Sequence, residues 1–233
     1  NHDVLILGDC EVYENISTVT MWENYGISSY IRGSAEQLIW QSYYLLEDTL
    51  KYEKPQVVIV NVLAMTESDA KNEAYNRMTL DGMKLSKYKI ASIRESMTEE
   101  ENMASYIFPL LRYHSRWSEL SSEDFRYMWK TPSVTTNGYL MQKGVRPVTT
   151  IPKAAPLANY TFSDRNMEYL DKIDSLCKDN GINLVLMKAP SVYPHWYDEW
   201  DKQVSDYAYE HGIVHSDEIT IETKSGIKAL KLT

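Results

Sequence analysis

The chain has 233 residues, 43% hydrophobic and 24% charged, which suffices for one sizeable core and excludes collagen, coiled coil and wholesale disorder. A formal net charge of −9 offers no basic footprint to phosphate backbones, so no nucleic-acid partner is expected. Cys10 and Cys177 are too few for a disulfide framework. The longest apolar run, Val57 to Met65, is interrupted by Asn61 and falls far short of the ~20 residues that span a bilayer.

Val4-Leu5-Ile6-Leu7 is a short apolar run closed by Gly8-Asp9, the pattern of a buried strand entering a tight loop. Tyr30-Ile31 reads as a second short strand, closed by Arg32-Gly33. Ser34-Ala35-Glu36-Gln37 has capping-box spacing and predicts a helix from Ala35, whose Leu38, Ser42, Leu45, Leu46, Thr49 and Leu50 form one inward stripe that stops before Lys54-Pro55. Gln56 to Val62 is β-branched almost throughout, as a central parallel strand covered on both faces should be.

From about residue 66 to 162 a mostly helical stretch, then a loop rich in Pro and Gly, reads as an insertion. It includes a second capping box at Thr98 to Glu101. Ser163 is the expected N-cap of a helix reaching Asn180, with Gly181 closing it, before a strand at Asn183 to Met187. A helix from about Trp196 to Glu210, a last short strand at Gly212 to Val214 and at most a short helix over 224–232 complete the expected layout. Such alternation predicts one α/β domain over residues 1–233, with ligands at the carboxyl ends of the strands.

In order and spacing, residues 4 to 62 and 163 to 215 resemble the SGNH, or GDSL-like, hydrolase family. Gly8-Asp9-Cys10 stands where that family has Gly-Asp-Ser, and Arg32-Gly33-Ser34 where it has an oxyanion-hole glycine. The resemblance implies a flavodoxin-like three-layer sandwich around a central parallel sheet, here carrying the helical insertion. No cofactor is expected, since Gly8 and Gly33 stand alone without a Gly-x-Gly-x-x-Gly or a Walker-type lysine, although the fold by itself leaves flavin or nucleotide binding open. The resemblance also implies acyl esters as substrates, such as O-acetyl groups of extracellular glycans, and a location outside the cell or at its surface. Because the chain opens at Asn1 and enters a strand at once, a signal peptide or membrane anchor is expected before it.

Two departures stand out. The family's Gly-x-Asn-Asp turn has no counterpart after Val62, Asn61 lying earlier in the strand, and no Asp-x-x-His occurs anywhere. Either the C-terminal end is altered or catalysis has been lost.

Acyl transfer requires a nucleophile on a sharp turn, amides aimed at the oxyanion, and a base. Cys10 is the expected nucleophile, with the amides of Cys10 and Gly33 as oxyanion donors, and His215, near Asp217 and Glu218, is the best-placed base. Asp9 and Glu11 flank the thiol and oppose its ionisation. Asp9, Ser34, Asn61 and His195 are expected to face the substrate, and His114 to line a groove from the insertion. No metal is expected: the cysteines lack Cys-x-x-Cys spacing, and His211 and His215 lack the Glu of a zinc helix. The alternative reading is a non-catalytic relative that binds a glycan or a protein. Trp40-Tyr43-Tyr44 and Tyr193-His195-Trp196-Tyr197 are then either a sugar-facing wall or ordinary packing.

Overall fold

The first strand, β1 (Val4–Gly8), is buried along its whole length, because its two faces enter two different apolar layers. This computed structural model describes residues 1–113, 118–129, 136–141, 153–191, 194–213, 218–223 and 226–231. After β1 come α1 (Cys10–Asn15), α2 (Thr18–Tyr25) and β2 (Ser29–Gly33), then α3 (Ile39–Thr49) and β3 (Val57–Asn61). A 3₁₀ turn at Val62–Thr66 leads into α4 (Glu73–Leu80), α5 (Lys87–Ser96), α6 (Met103–Ile107), α7 (Pro109–Tyr113) and α8 (Ser122–Trp129). The described chain continues with α9 (Asp164–Asp179), β4 (Asn183–Met187) and α10 (Asp198–His211), and ends in β5 (Glu218–Thr223) and β6 (Gly226–Lys231).

Strands one to four form a wholly parallel sheet in the order β2-β1-β3-β4. Leu5, Leu7, Val58, Val60, Leu184 and Leu186 join one layer with residues of α3, α9 and α10. Val4, Ile6, Val57, Ile59 and Val185 face the opposite layer with Val12 of α1 and Met21 of α2. Two buried faces explain the unbroken apolar runs. The architecture is α/β, helices flanking a parallel sheet, compatible with a flavodoxin-like three-layer sandwich. Chain order reverses at β1: α1 and α2 cover one face on the way to β2, whereas α3 crosses the other on the way to β3. The loops after β1 and β3 therefore diverge and leave a crevice between their strand ends.

Several helix starts differ from the sequence expectation. Ser34 and Gln37 do bond, Oγ to Oε1 at 3.3 Å, but Glu36 has φ 56°. A left-handed residue cannot lie inside a right-handed helix, so α3 begins at Ile39, where the Leu38 amide donates to Gln41 Oε1 at 3.1 Å. Thr98 likewise contacts Glu101, yet Asn102 is the N-cap of α6, its Oδ1 accepting from the Ala104 amide at 2.8 Å. Gly212 is no strand residue: it ends α10 with φ 65°, and the Ile213 amide donates back to the Ala208 carbonyl at 2.8 Å. Val214 lies outside the described residues. In place of a short final helix, β5 and β6 pair as an antiparallel hairpin. The β-branched alternation Ile219-Thr220-Ile221 favours a strand there.

The helices after β3 are integral to the core. Leu80, Met83, Ile93 and Tyr106 are buried in the same cluster as Trp40 and the sheet. Trp40 Nε1 donates to Ser96 Oγ at 3.1 Å, and the Arg165 guanidinium lies 3.8 Å from the Trp40 ring centroid. Trp40 is fully buried, and Tyr43 and Tyr44 pack on Tyr169. Trp40 is thus a core residue, and Tyr43 and Tyr44 are half-buried against Tyr169.

The edge strand β2 is covered by Thr136 to Met141, a described part of the expected long loop. The Ile31 amide donates to the Asn137 carbonyl at 2.9 Å, and Asn137 Nδ2 donates to the Ser29 carbonyl at 3.0 Å. Covering an edge removes a template for unwanted strand pairing. Gly138 at φ 91° makes this possible, because a Cβ there would collide with the Ile31 carbonyl. Gly138→Ala is expected to cost about 1–3 kcal/mol, read as a lower urea midpoint at unchanged slope. An unchanged midpoint would show that the cover does not contribute to stability.

Candidate functional site at the strand ends

The site begins with close backbone approaches. Gly8 and Gly33 are in register at the ends of β1 and β2. A Cβ on Gly33 would sit 2.6 Å from Val12 Cγ2 and 2.9 Å from the Gly8 carbonyl oxygen; one on Gly8 would sit 2.7 Å from Asn61 Cβ. Absent side chains at both positions let α1 start directly against β2 and β3. Asp9 is the N-cap of α1, its Oδ1 accepting from the Glu11 amide at 3.1 Å, and Cys10 is the first helical residue.

Behind the helix start, a buried polar network ties three strand ends together. Asn61, fully buried at the end of β3, donates through Nδ2 to Asp9 Oδ1 at 2.8 Å and to Glu11 Oε2 at 2.9 Å. Its Oδ1 accepts from the Ala189 amide at 3.4 Å. From the end of β4, Lys188 Nζ reaches Glu11 Oε1 at 2.7 Å and Ser191 Oγ at 2.9 Å.

A cavity of about 550 Å³ opens in front of this network, between the ends of β1 and β3. Cys10 lines it together with five carboxylates, those of Asp9, Glu11, Glu14, Glu36 and Glu67. Leu63, Leu157, Pro190 and Trp200 supply apolar wall. Lys71 bridges Glu36 at 2.9 Å and Glu67 at 2.6 Å. Burial pushes the Asp9 carboxyl up to about 6; the Asn61 hydrogen bond opposes this, and the Glu11 charge adds to it. Burial, then the charges of Asp9 and Glu14, pushes the Cys10 thiol up to about 11. At neutral pH Cys10 is therefore a neutral thiol, a weak nucleophile.

The residues singled out from sequence fall into distinct places. Asp9 and Cys10 line the cavity, and Asn61 sits directly behind Asp9 and Glu11. Gly33 and Ser34 belong to the same strand-end cluster but not to the lining. The Ser34 amide donates to the Gly8 carbonyl at 3.3 Å and its hydroxyl bonds Thr79 Oγ1, while the next residues facing the cavity are Glu36 and Gln37. His195 is exposed, edge-on to Tyr197 with centroids 4.6 Å apart, beside Pro194 of the cavity wall. His215, His114 and Tyr193 lie outside the described residues. His211 bonds Asp174 at 2.9 Å between α9 and α10, away from the site. Glu36, Glu67, Leu157 and Trp200 were not legible as lining residues, since no local pattern links positions so far apart.

Among the described residues no group of three side chains is arranged to hold a metal ion. No described helix is long and apolar enough to cross a membrane. Comparisons with family models, with curated proteins and with solved structures find no match to this chain.

Proposed function

We propose that this is an SGNH-like protein whose strand-end cavity receives an acyl ester, such as an O-acetyl group, of a glycan outside the cell. In this chain the site holds the ester and does not turn it over through Cys10. The observation that carries this reading is the place of Cys10 in the cavity lining, where burial and then the neighbouring Asp9 and Glu14 carboxylates keep its thiol neutral. Both amide hydrogens of Asn61 are engaged by Asp9 and Glu11, so this side chain is not free to complete an oxyanion hole. A second reading, acyl transfer by Cys10, is favoured by its place at the first turn after β1, facing the cavity.

Hydrolysis of p-nitrophenyl acetate by the wild type, Cys10→Ala and Cys10→Ser separates the two. Equal, near-background turnover in all three is expected, together with protection of Cys10 by an O-acetylated oligosaccharide during prolonged iodoacetamide treatment at mildly alkaline pH, where some thiolate forms. Wild-type turnover about tenfold or more above that of Cys10→Ala, or a comparable gain in Cys10→Ser, would replace holding with catalysis.

A further inference from the structure

A second cavity, of about 490 Å³, adjoins the first and shares Thr66, Leu157 and Trp200 with it. Its floor is the start of α9, where Ser163, Asp164 and Asn166 line it. Asn166 is fully buried and its hydrogen bonding is one-sided. Nδ2 donates to the carbonyls of Met65 and Glu67, both at 2.8 Å, which fixes the orientation of the amide. Oδ1 is left without a hydrogen-bond partner. A buried acceptor in that condition is costly unless a donor reaches it.

We propose that this second cavity is a binding subsite for a neutral, hydroxyl-bearing ring, with Asn166 Oδ1 accepting from one hydroxyl and Trp200 forming the wall against its carbon face. The ligand class follows from what the surroundings can pair with. Asn166 Oδ1 requires a donor, which excludes a carboxylate; the Asp164 carboxylate at the same helix start repels one as well. The first amides of a helix need an acceptor. Ser163 Oγ serves that of Asn166, while among the described residues none is assigned to that of Asp164. An ammonium group cannot accept from an amide, whereas a hydroxyl both donates and accepts. Trp200 is held edge-on by Tyr197, with centroids 4.8 Å apart, and is common to both cavities. One ring can therefore rest here while its substituent enters the Cys10 cavity. The assignment rests on the glycan reading above and extends it to a place outside the acidic cavity.

The test is the movement of two NMR signals, the Asn166 side-chain amide and the Trp200 indole N–H. The probes are methyl xyloside, methyl glucoside and N-acetylglucosamine, with acetate and methylammonium as controls. Both signals are expected to move with at least one sugar and with neither ion. Trp200→Ala should weaken the interaction about three- to tenfold, and Trp200→Phe should retain it. No movement with any of the three sugars, or equal movement with either ion, overturns the subsite, and requires no variant to fold. Cys10 protection by an acetylated oligosaccharide without these shifts would sink the subsite and leave the glycan reading standing. Shifts without protection would do the reverse.

Discussion

Lys188→Met is expected to be the most damaging conservative-sized change at the strand ends, lowering stability by about 3–5 kcal/mol. The side chains of Lys188 and Glu11 are 12% and 6% exposed, and their charged atoms are 2.7 Å apart. Removing the ammonium leaves the Glu11 carboxylate buried, still accepting from Asn61 Nδ2 at 2.9 Å but with no cation beside it in the network. An uncompensated buried charge costs far more than the intact pair contributes. Adding Glu11→Gln to Lys188→Met should recover much of the loss, because position 11 then no longer buries a charge without its partner. Equilibrium urea unfolding of the two variants measures this. A loss below about 1 kcal/mol in Lys188→Met would show that the pair is screened and that the network does not hold the strand ends together.

Asp9→Asn is expected to act in the opposite direction at neutral pH. The native carboxyl titrates at about 6 against a reference of 3.8, chiefly through burial. The folded state therefore holds the proton more tightly than the unfolded state does. Stability from this group is fully present below about pH 4 and is lost as pH rises through about 6, a total of about 3 kcal/mol. Asparagine keeps an oxygen to accept from the Glu11 amide and from Asn61 Nδ2, and it carries no charge to bury. The variant should exceed the wild type by about 2–3 kcal/mol at pH 8 and match it near pH 4. Urea unfolding at both values checks the difference, in which titrations common to both proteins cancel. A gain independent of pH would remove the titration of Asp9 as its cause. The same change takes away the charge that most opposes Cys10 ionisation, so it also brings the thiol closer to reactivity.

The strands were legible because burial on both faces demands an unbroken apolar run, and Val4 to Leu7 and Val57 to Val60 carry one. Where a helix starts was less legible. Ser34 and Gln37 make the contact that their spacing suggests, but the left-handed Glu36 between them forbids a helical turn and moves the start to Ile39. The hairpin of β5 and β6 shows the same limit: alternation was present in Ile219 to Ile221, but a pairing partner had to be found in space.

What the sequence by itself determined is the parallel α/β layout and the meeting of Asp9 and Cys10 with the carboxyl end of β1. Both follow from local pattern: short apolar runs, the first of them closed by Gly8-Asp9 as a strand entering a tight loop. Only the tertiary structure decided what surrounds the thiol. Glu36, Glu67 and Trp200 line the same cavity from three separate segments, and Asn61 commits its amide to Asp9 and Glu11 from behind the cavity wall. Charge and hydrogen bonding act through space over a few ångströms, whereas residue order records only neighbours along the chain. For that reason the reactivity of Cys10 is a property of the folded packing.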